Sequence, residues 1–149
     1  MAAPIAMNTE SFLFSIVDEV QRKQRDSGFS GLTPREQVFY LVWALEAEVN
    51  NGGFDQFLLN SAGDYTSESV DALRQIGAIR MASLVQQAIE VFLPAAPSRS
   101  WSERQTQVLA LTESQAACLQ RLDNEFYTYP EDLSQLLASF MQEHDANAA

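Results

Sequence analysis

Three features of the chain predict an all-α fold. Apolar residues recur at three- and four-residue spacings along most of its length, two segments carry paired helix-start signals, and no stretch alternates like a half-buried strand. At 149 residues and 46% hydrophobic content, the chain suits one domain with a sizeable core. We expect a single compact multi-helix domain spanning residues 1–149, with about seven to eight helices.

Thr9 is the expected cap of a first helix running to about Arg25, with Phe12, Ile16 and Val20 on one face and Leu13 and Val17 beside it. Ser27 to Gly31 reads as a loop. Thr33-Pro34-Arg35-Glu36 then places a cap, a proline at the first helical position and a glutamate at the third, which is a capping box. The following helix is apolar on most sides from Val38 to Leu45, so it belongs at the centre of the core. It is expected to stop near Asn50-Asn51-Gly52-Gly53, since Asn and Gly tolerate the left-handed conformation that ends helices.

Phe54 to Asn60 reads as a short helix and Ser61-Ala62-Gly63-Asp64 as a turn. Thr66 or Ser67 caps a helix ending at Gly77, and another covers about Ala78 to Phe92. Leu93 to Pro97 is a connector. Ser100-Trp101-Ser102-Glu103 resembles a second capping box, opening a helix to about Leu111. Thr112 caps the next, with Ala116, Leu119, Leu122 and Phe126 at helical spacing, and Pro130 fits the first turn of a last helix carrying Leu133, Leu136, Leu137 and Phe140.

The net charge is −11, from 20 acids and 9 bases. A typical domain of this length would hold about 19 of each, so the acids are ordinary in number and the bases are scarce. Nonspecific nucleic-acid binding is disfavoured, because neutralising phosphates needs Lys and Arg. An anionic membrane surface would repel the chain, and no apolar run approaches a bilayer span. MAAPIAMNTE lacks a basic n-region and a long apolar stretch, so no secretory leader is expected. Cys118 is the single cysteine, which suits a reducing cytoplasm.

The charge is unevenly placed. Glu36 to Leu73 contains seven acids and no base, and Leu122 to the C-terminus contains six acids and no base. These stretches hold more than the whole net charge. Glu10, Glu36, Glu68, Glu103, Glu113, Glu131 and Asp132 fall in expected first turns, where the helix dipole stabilises a carboxylate by roughly 0.3–1 kcal/mol. Asp18 and Glu19 are spaced to pair with Arg22 and Lys23. That leaves Glu46, Glu48, Asp55 and Asp64 around the Asn-Gly turn, with Asp123 and Glu125, as candidate partner-binding carboxylates. Taken singly, each also reads as a solvated surface acid.

No residue pattern points to catalysis, and the chain reads as non-enzymatic. One histidine, His144, and one cysteine provide no metal-ligand spacing, and Asp55 and Asp64 lack the alternation of an EF-hand loop, so neither metal nor cofactor is expected. Cys118 beside Leu119 reads as a buried inert thiol. Gly52-Gly53 lacks the pattern of a phosphate loop. Phe39, Tyr40, Trp43, Phe54 and Phe57 come without interleaved bases and are assigned to the core.

The stretch from Glu46 to Asp64, EAEVNNGGFDQFLLNSAGD, resembles the signature of a bacterial family of unknown function named for a DNA-mimic member from Neisseria. Ala72-Leu73, Ile76-Gly77-Ala78, Ala88-Ile89 and Phe92 continue the pattern, as does Leu122-Asp123-Asn124-Glu125-Phe126-Tyr127 with a helix after Pro130. The likeness spans about residues 35–144. It implies an all-helical fold and, from the founding member, a dimer whose carboxylates imitate duplex phosphates on the surface of a transcription factor. Structurally, Gly52 and Gly53 would end one helix and let the next pack closely, while Asn50, Asn51, Gln56 and Asn60 satisfy backbone groups around Phe54. B-DNA carries one charge per ~1.7 Å of axis, so the carboxylates outside first turns cover a short patch that a homodimer would double.

The preferred expectation is a cytoplasmic, acidic, protein-binding module that offers Glu46, Glu48, Asp55, Asp64, Asp123 and Glu125 to a basic protein surface, with no direct nucleic-acid or membrane contact. An immunity or antitoxin-type inhibitor of a basic nuclease uses the same electrostatics. A small carboxylate- or metal-dependent hydrolase built on the acids near the turn is the reading from a different class.

Overall fold

The computed structural model describes residues 8–147, with side chains described as far as Glu143. His144, Asp145 and the MAAPIAMNTE stretch, expected to carry no leader, therefore lie wholly or partly outside the described residues. Among these residues seven α-helices follow one another: α1 (Thr9–Ser27), α2 (Pro34–Leu59), α3 (Thr66–Gln75), α4 (Ile79–Glu90), α5 (Trp101–Leu109), α6 (Glu113–Tyr127) and α7 (Leu133–Asn147). No strand occurs among the described residues, and 3₁₀ turns at Phe29–Gly31 and Ser61–Tyr65 flank α2. The expected all-α single domain is what forms.

Helix α2 is the axis of the molecule, touching α1, α3, α5, α6 and α7. Val38, Phe39, Leu41, Val42, Leu45 and Val49 are buried around its circumference, as an all-round apolar helix requires. The Thr33–Glu36 capping box opens it: Glu36 N donates to Thr33 Oγ1 and Thr33 N to Glu36 Oε1. Lys23 bonds this buried glutamate at 2.9 Å, joining α1 to the start of α2 rather than pairing with Asp18 or Glu19 along its own helix.

Several helix ends differ from the sequence expectation. Asn8, not Thr9, caps α1 by accepting from Ser11 N. Helix α3 has neither Thr66 nor Ser67 as a side-chain cap, since it continues directly from the preceding 3₁₀ turn. Ser100 stands at the α5 N-cap without a capping box, because Glu103 takes the Ser98 hydroxyl and Ser98 Oγ accepts from Ser100 N. Thr112 and Gln115 form the capping box that starts α6.

Pro130 lies before α7, which begins at Leu133 with Asp132 accepting from Gln135 N. The intervening Glu131 reaches back to α4, where its two oxygens accept from Arg80 N and Met81 N. Helix α4 has no capping side chain of its own, and Glu131 supplies one from fifty residues away. Glu10, Glu36, Glu68, Glu103 and Glu113 do occupy first turns.

One side chain ties the second half of the fold to α2. Arg104 on α5 is fully buried, and its guanidinium donates to the carbonyls of Leu58, Asn60, Ser98 and Arg99 and, at 2.7 Å, to Asp64 Oδ1. It thereby gathers the end of α2, the following 3₁₀ turn and the segment before α5. Gly63 makes room for it, since a Cβ there would lie 2.6 Å from Phe57 O and 2.9 Å from Arg104 Nε. Truncating this large buried side chain would leave a cavity and four carbonyls without their donor, a change that costs about 3–5 kcal/mol. Arg104→Ala should therefore lose about that much in urea unfolding, and Asp64→Asn, which keeps an oxygen acceptor, should lose less. Equal losses in the two variants would contradict this account.

Candidate partner-binding surface

Helix α2 runs through Asn50-Asn51 and breaks at the two glycines. Gly52 and Gly53 have non-helical backbone, and Gly53 lies at φ +73°, where an L side chain is strained. A Cβ on Gly53 would also lie 2.5 Å from Asp123 Oδ2. The break frees the amide of Phe54, and Asp123 of α6 accepts from it at 2.7 Å, capping the second segment of α2. The Gln56 side chain fills the space where Gly52 would carry a Cβ, and Phe54 is buried edge-on against Phe126. The expected stop at this turn and short helix after it are thus two arms of one kinked helix.

The amides around the kink bond mainly to other side chains, where backbone groups were the expected partners. Asn51 donates to Gln56, and both Gln56 and Asn60 donate to Glu48 Oε2 at 2.8 Å. Asn50 donates to the Tyr129 hydroxyl, which itself donates to Glu46 Oε1 at 2.8 Å. Tyr129 adopts φ +49° before Pro130 to reach this position, and its ring meets Phe126. Tyr127 adds a hydroxyl bond to Val49 O.

These surroundings shift the titration of the site. Burial pushes the Glu46 carboxyl up from its ordinary value, against the Tyr129 hydrogen bond that favours its ionised form, and Asp132 adds to the rise. Burial likewise raises Asp123, opposed by the bond from Phe54 N and assisted by Asp55. The Tyr129 phenol is pushed up to about 12, by burial first and by Glu46 beside it.

The six candidate carboxylates do not form one cluster. Glu46 faces a groove of about 230 Å³ between α1 and α2, with Phe14 and Trp43 in its wall. Glu48 faces a second groove of about 340 Å³ beyond Trp43 and Ala47, where Tyr40 and Arg25 are neighbours. Asp55 is exposed near Asp123 at the kink. Asp64 is neutralised by Arg104. Glu125 is exposed, 4.0 Å from Arg121, on a groove between α4 and α6 that also contains Arg80. Four carboxylates therefore surround the distal part of α2, and two lie elsewhere beside arginines.

Tyr127, the last residue of α6, belongs to the family-like stretch without a role of its own, and for Tyr129 the available signal is its place between the acidic end of α6 and Pro130. Of the aromatics assigned to the core, Phe39, Phe54 and Phe57 are buried, and Tyr40 and Trp43 are partly buried, packing against the core while also lining grooves. Cys118 is half-buried against the core, with Arg121 Nη2 3.4 Å from its sulfur. Among the described residues, no group of three or more His, Cys, Asp or Glu could hold a metal, and no helix is long and apolar enough to cross a membrane.

Fold and site together define an acidic all-helical domain whose central helix bends at an Asn-Asn-Gly-Gly turn. The chain belongs to the DMP19-like protein family, which matches residues 30–144 and includes the whole of α2 to α6. This agrees with the resemblance to the DNA-mimic family carried by the residues around the kink. No curated protein and no solved structure matches the chain significantly.

The Tyr129 hydroxyl supplies a bond that favours the charged form of Glu46. Tyr129→Phe should consequently move the Glu46 carboxyl titration to still higher pH, as read from side-chain carboxyl NMR shifts. An unchanged or lowered midpoint would show that the bond does not govern Glu46.

Proposed function

We propose that this chain is a non-enzymatic cytoplasmic protein that occupies the basic, nucleic-acid-binding surface of a partner protein, in the manner of a DNA mimic. One observation carries the reading: Glu46, Glu48 and Asp123 are held by neutral donors rather than by cations. A phosphate array is both fixed in position and negatively charged. A carboxylate locked by Arg or Lys is fixed but neutralised, and a free surface carboxylate is charged but mobile. Tyr129, Gln56, Asn60 and the Phe54 amide hold these carboxylates without taking away their charge. Asp55 adds an exposed carboxylate beside them, whereas Asp64, already paired with Arg104, contributes little.

Membership of the family supports the same reading, and a homodimer would double the patch. Electrostatic steering would then accelerate encounter, and affinity would fall as salt rises. The partner is sought by capture from the native host at low salt with stepwise salt elution. Its identity as a regulator or a nuclease separates the mimic from the inhibitor.

With that partner in hand, the variant Glu46→Gln/Glu48→Gln/Asp55→Asn removes three charges while leaving oxygen acceptors for Tyr129, Gln56 and Asn60. It should bind at least about tenfold more weakly, equivalent to ~1.4 kcal/mol, with a shallower salt dependence and an unchanged helical spectrum. Retention of full affinity by this variant would sink the proposal.

A further inference from the structure

We propose that the groove between α1 and α2 receives an arginine side chain of the basic partner, with its guanidinium against the face of Trp43 and beside Glu46. This inference rests on the basic-partner reading above and deepens it, replacing a diffuse field of charge with one socket. The wall is aromatic and ordered. Trp43 lies parallel to buried Phe39, with centroids 5.5 Å apart and planes at 13°, and Phe14 meets Trp43 edge-on at 5.7 Å. Phe14 is 53% exposed, a large apolar area left at the surface. Ala47 is exposed beside the partly buried Trp43, and both line the groove.

The rim has one sign. Glu10 and Glu46 line the groove together with the neutral Asn50 and Ser134, and no Lys or Arg among the described residues lines it. Glu46 is held there by Tyr129. An aromatic face bordered by carboxylates matches a guanidinium, which stacks on rings and pairs with carboxylates through a planar fork of donors. Lysine, a strongly hydrated point charge, would fit the same place less well. At about 230 Å³ the groove is smaller than the roughly 300–1,000 Å³ of small-molecule sites and suits a single side chain. An apolar plug would bury Glu10 and Glu46 without compensation. A second copy would bring another net charge of −11 against the same rim.

The test is calorimetric titration of the full chain at low salt with end-blocked hexa-arginine and hexa-lysine peptides. Wild type is compared with two neutral groove-filling variants, Ala47→Leu and Ala47→Met, and with Asp71→Asn/Glu90→Gln, which lowers charge outside the groove. Thermal melting accompanies each variant to confirm folding. Hexa-arginine should bind wild type several-fold tighter than hexa-lysine. The folded Ala47 variants should lose about tenfold for hexa-arginine and most of the preference, while the distant double variant should keep the preference. Equal binding of the two peptides, or Ala47 variants indistinguishable from wild type, would overturn the socket and leave the charge reading standing. Failure of both peptides to bind wild type would count against the basic-partner reading itself. Loss of wild-type self-association in the Ala47 variants would name a second copy as the occupant and overturn the socket.

Discussion

The buried Arg104 guanidinium is the constraint on which much of the architecture depends. A charged group with no exposure must have its donors met, and here every partner but Asp64 is a backbone carbonyl. Those carbonyls come from the end of α2 and from the segment before α5, neither of which could satisfy the charge alone. The requirement explains the close passage of chain at Gly63 and the displaced serine network before α5. It also explains why Asp64, one acid among several in a base-free stretch, is an internal counterion. Trp101 reinforces the same junction by donating from its indole to Leu59 O.

With the far end of α2 anchored in this way, the Gly52–Gly53 break becomes a fixed bend rather than a loose hinge. Asp123 caps the arm beyond the bend, and Glu48 collects donors from Gln56 and Asn60 on that same arm. Glu46 lies on the arm before the bend and is gripped from the segment after α6 through Tyr129. Secondary structure, capping and surface electrostatics are thus one arrangement at the kink. The side chains that stabilise it also fix where negative charge is displayed.

Features governed by local rules were legible in the sequence. The Thr33–Glu36 capping box, the apolar circumference of α2, the glycine break and the Thr112 cap follow from residues a few positions apart. The misplaced features depend on long-range contacts. Glu131 adjoins the first turn of α7 in sequence, yet it caps α4. Asp64 and Asp123 resembled Glu48 in composition, but one meets a buried arginine forty residues on and the other a backbone amide sixty-nine residues back. Pro130 fits a helix start by its usual preference, whereas the chain bends there, with Tyr129 at φ +49°, and so delivers both Tyr129 and Glu131. The acidic region was visible early, but which acids retain their charge depends on donors brought from elsewhere.

The titration of the kink carries this distinction into thermodynamics. Glu46 and Asp123 have folded-state midpoints raised above their ordinary values, so the native state takes up protons there more readily than the unfolded chain. Their favourable contribution to folding is complete below the ordinary carboxylate range and is lost as pH rises through the raised midpoints. Ionisation of these two carboxylates therefore works against the fold. Stability alone would favour neutral side chains of similar shape at these positions. A cation brought from outside would reverse the balance by lowering both midpoints, so the groups that weaken the isolated protein are those a basic partner would stabilise most. Glu36 shows the contrast. Burial acts to raise its midpoint, but hydrogen bonds from Thr33 and Lys23 outweigh burial and hold it below the ordinary value. That carboxylate serves the fold in its ionised form, whereas Glu46 and Asp123 ionise at a cost to the fold and take their hydrogen bonds from neutral donors.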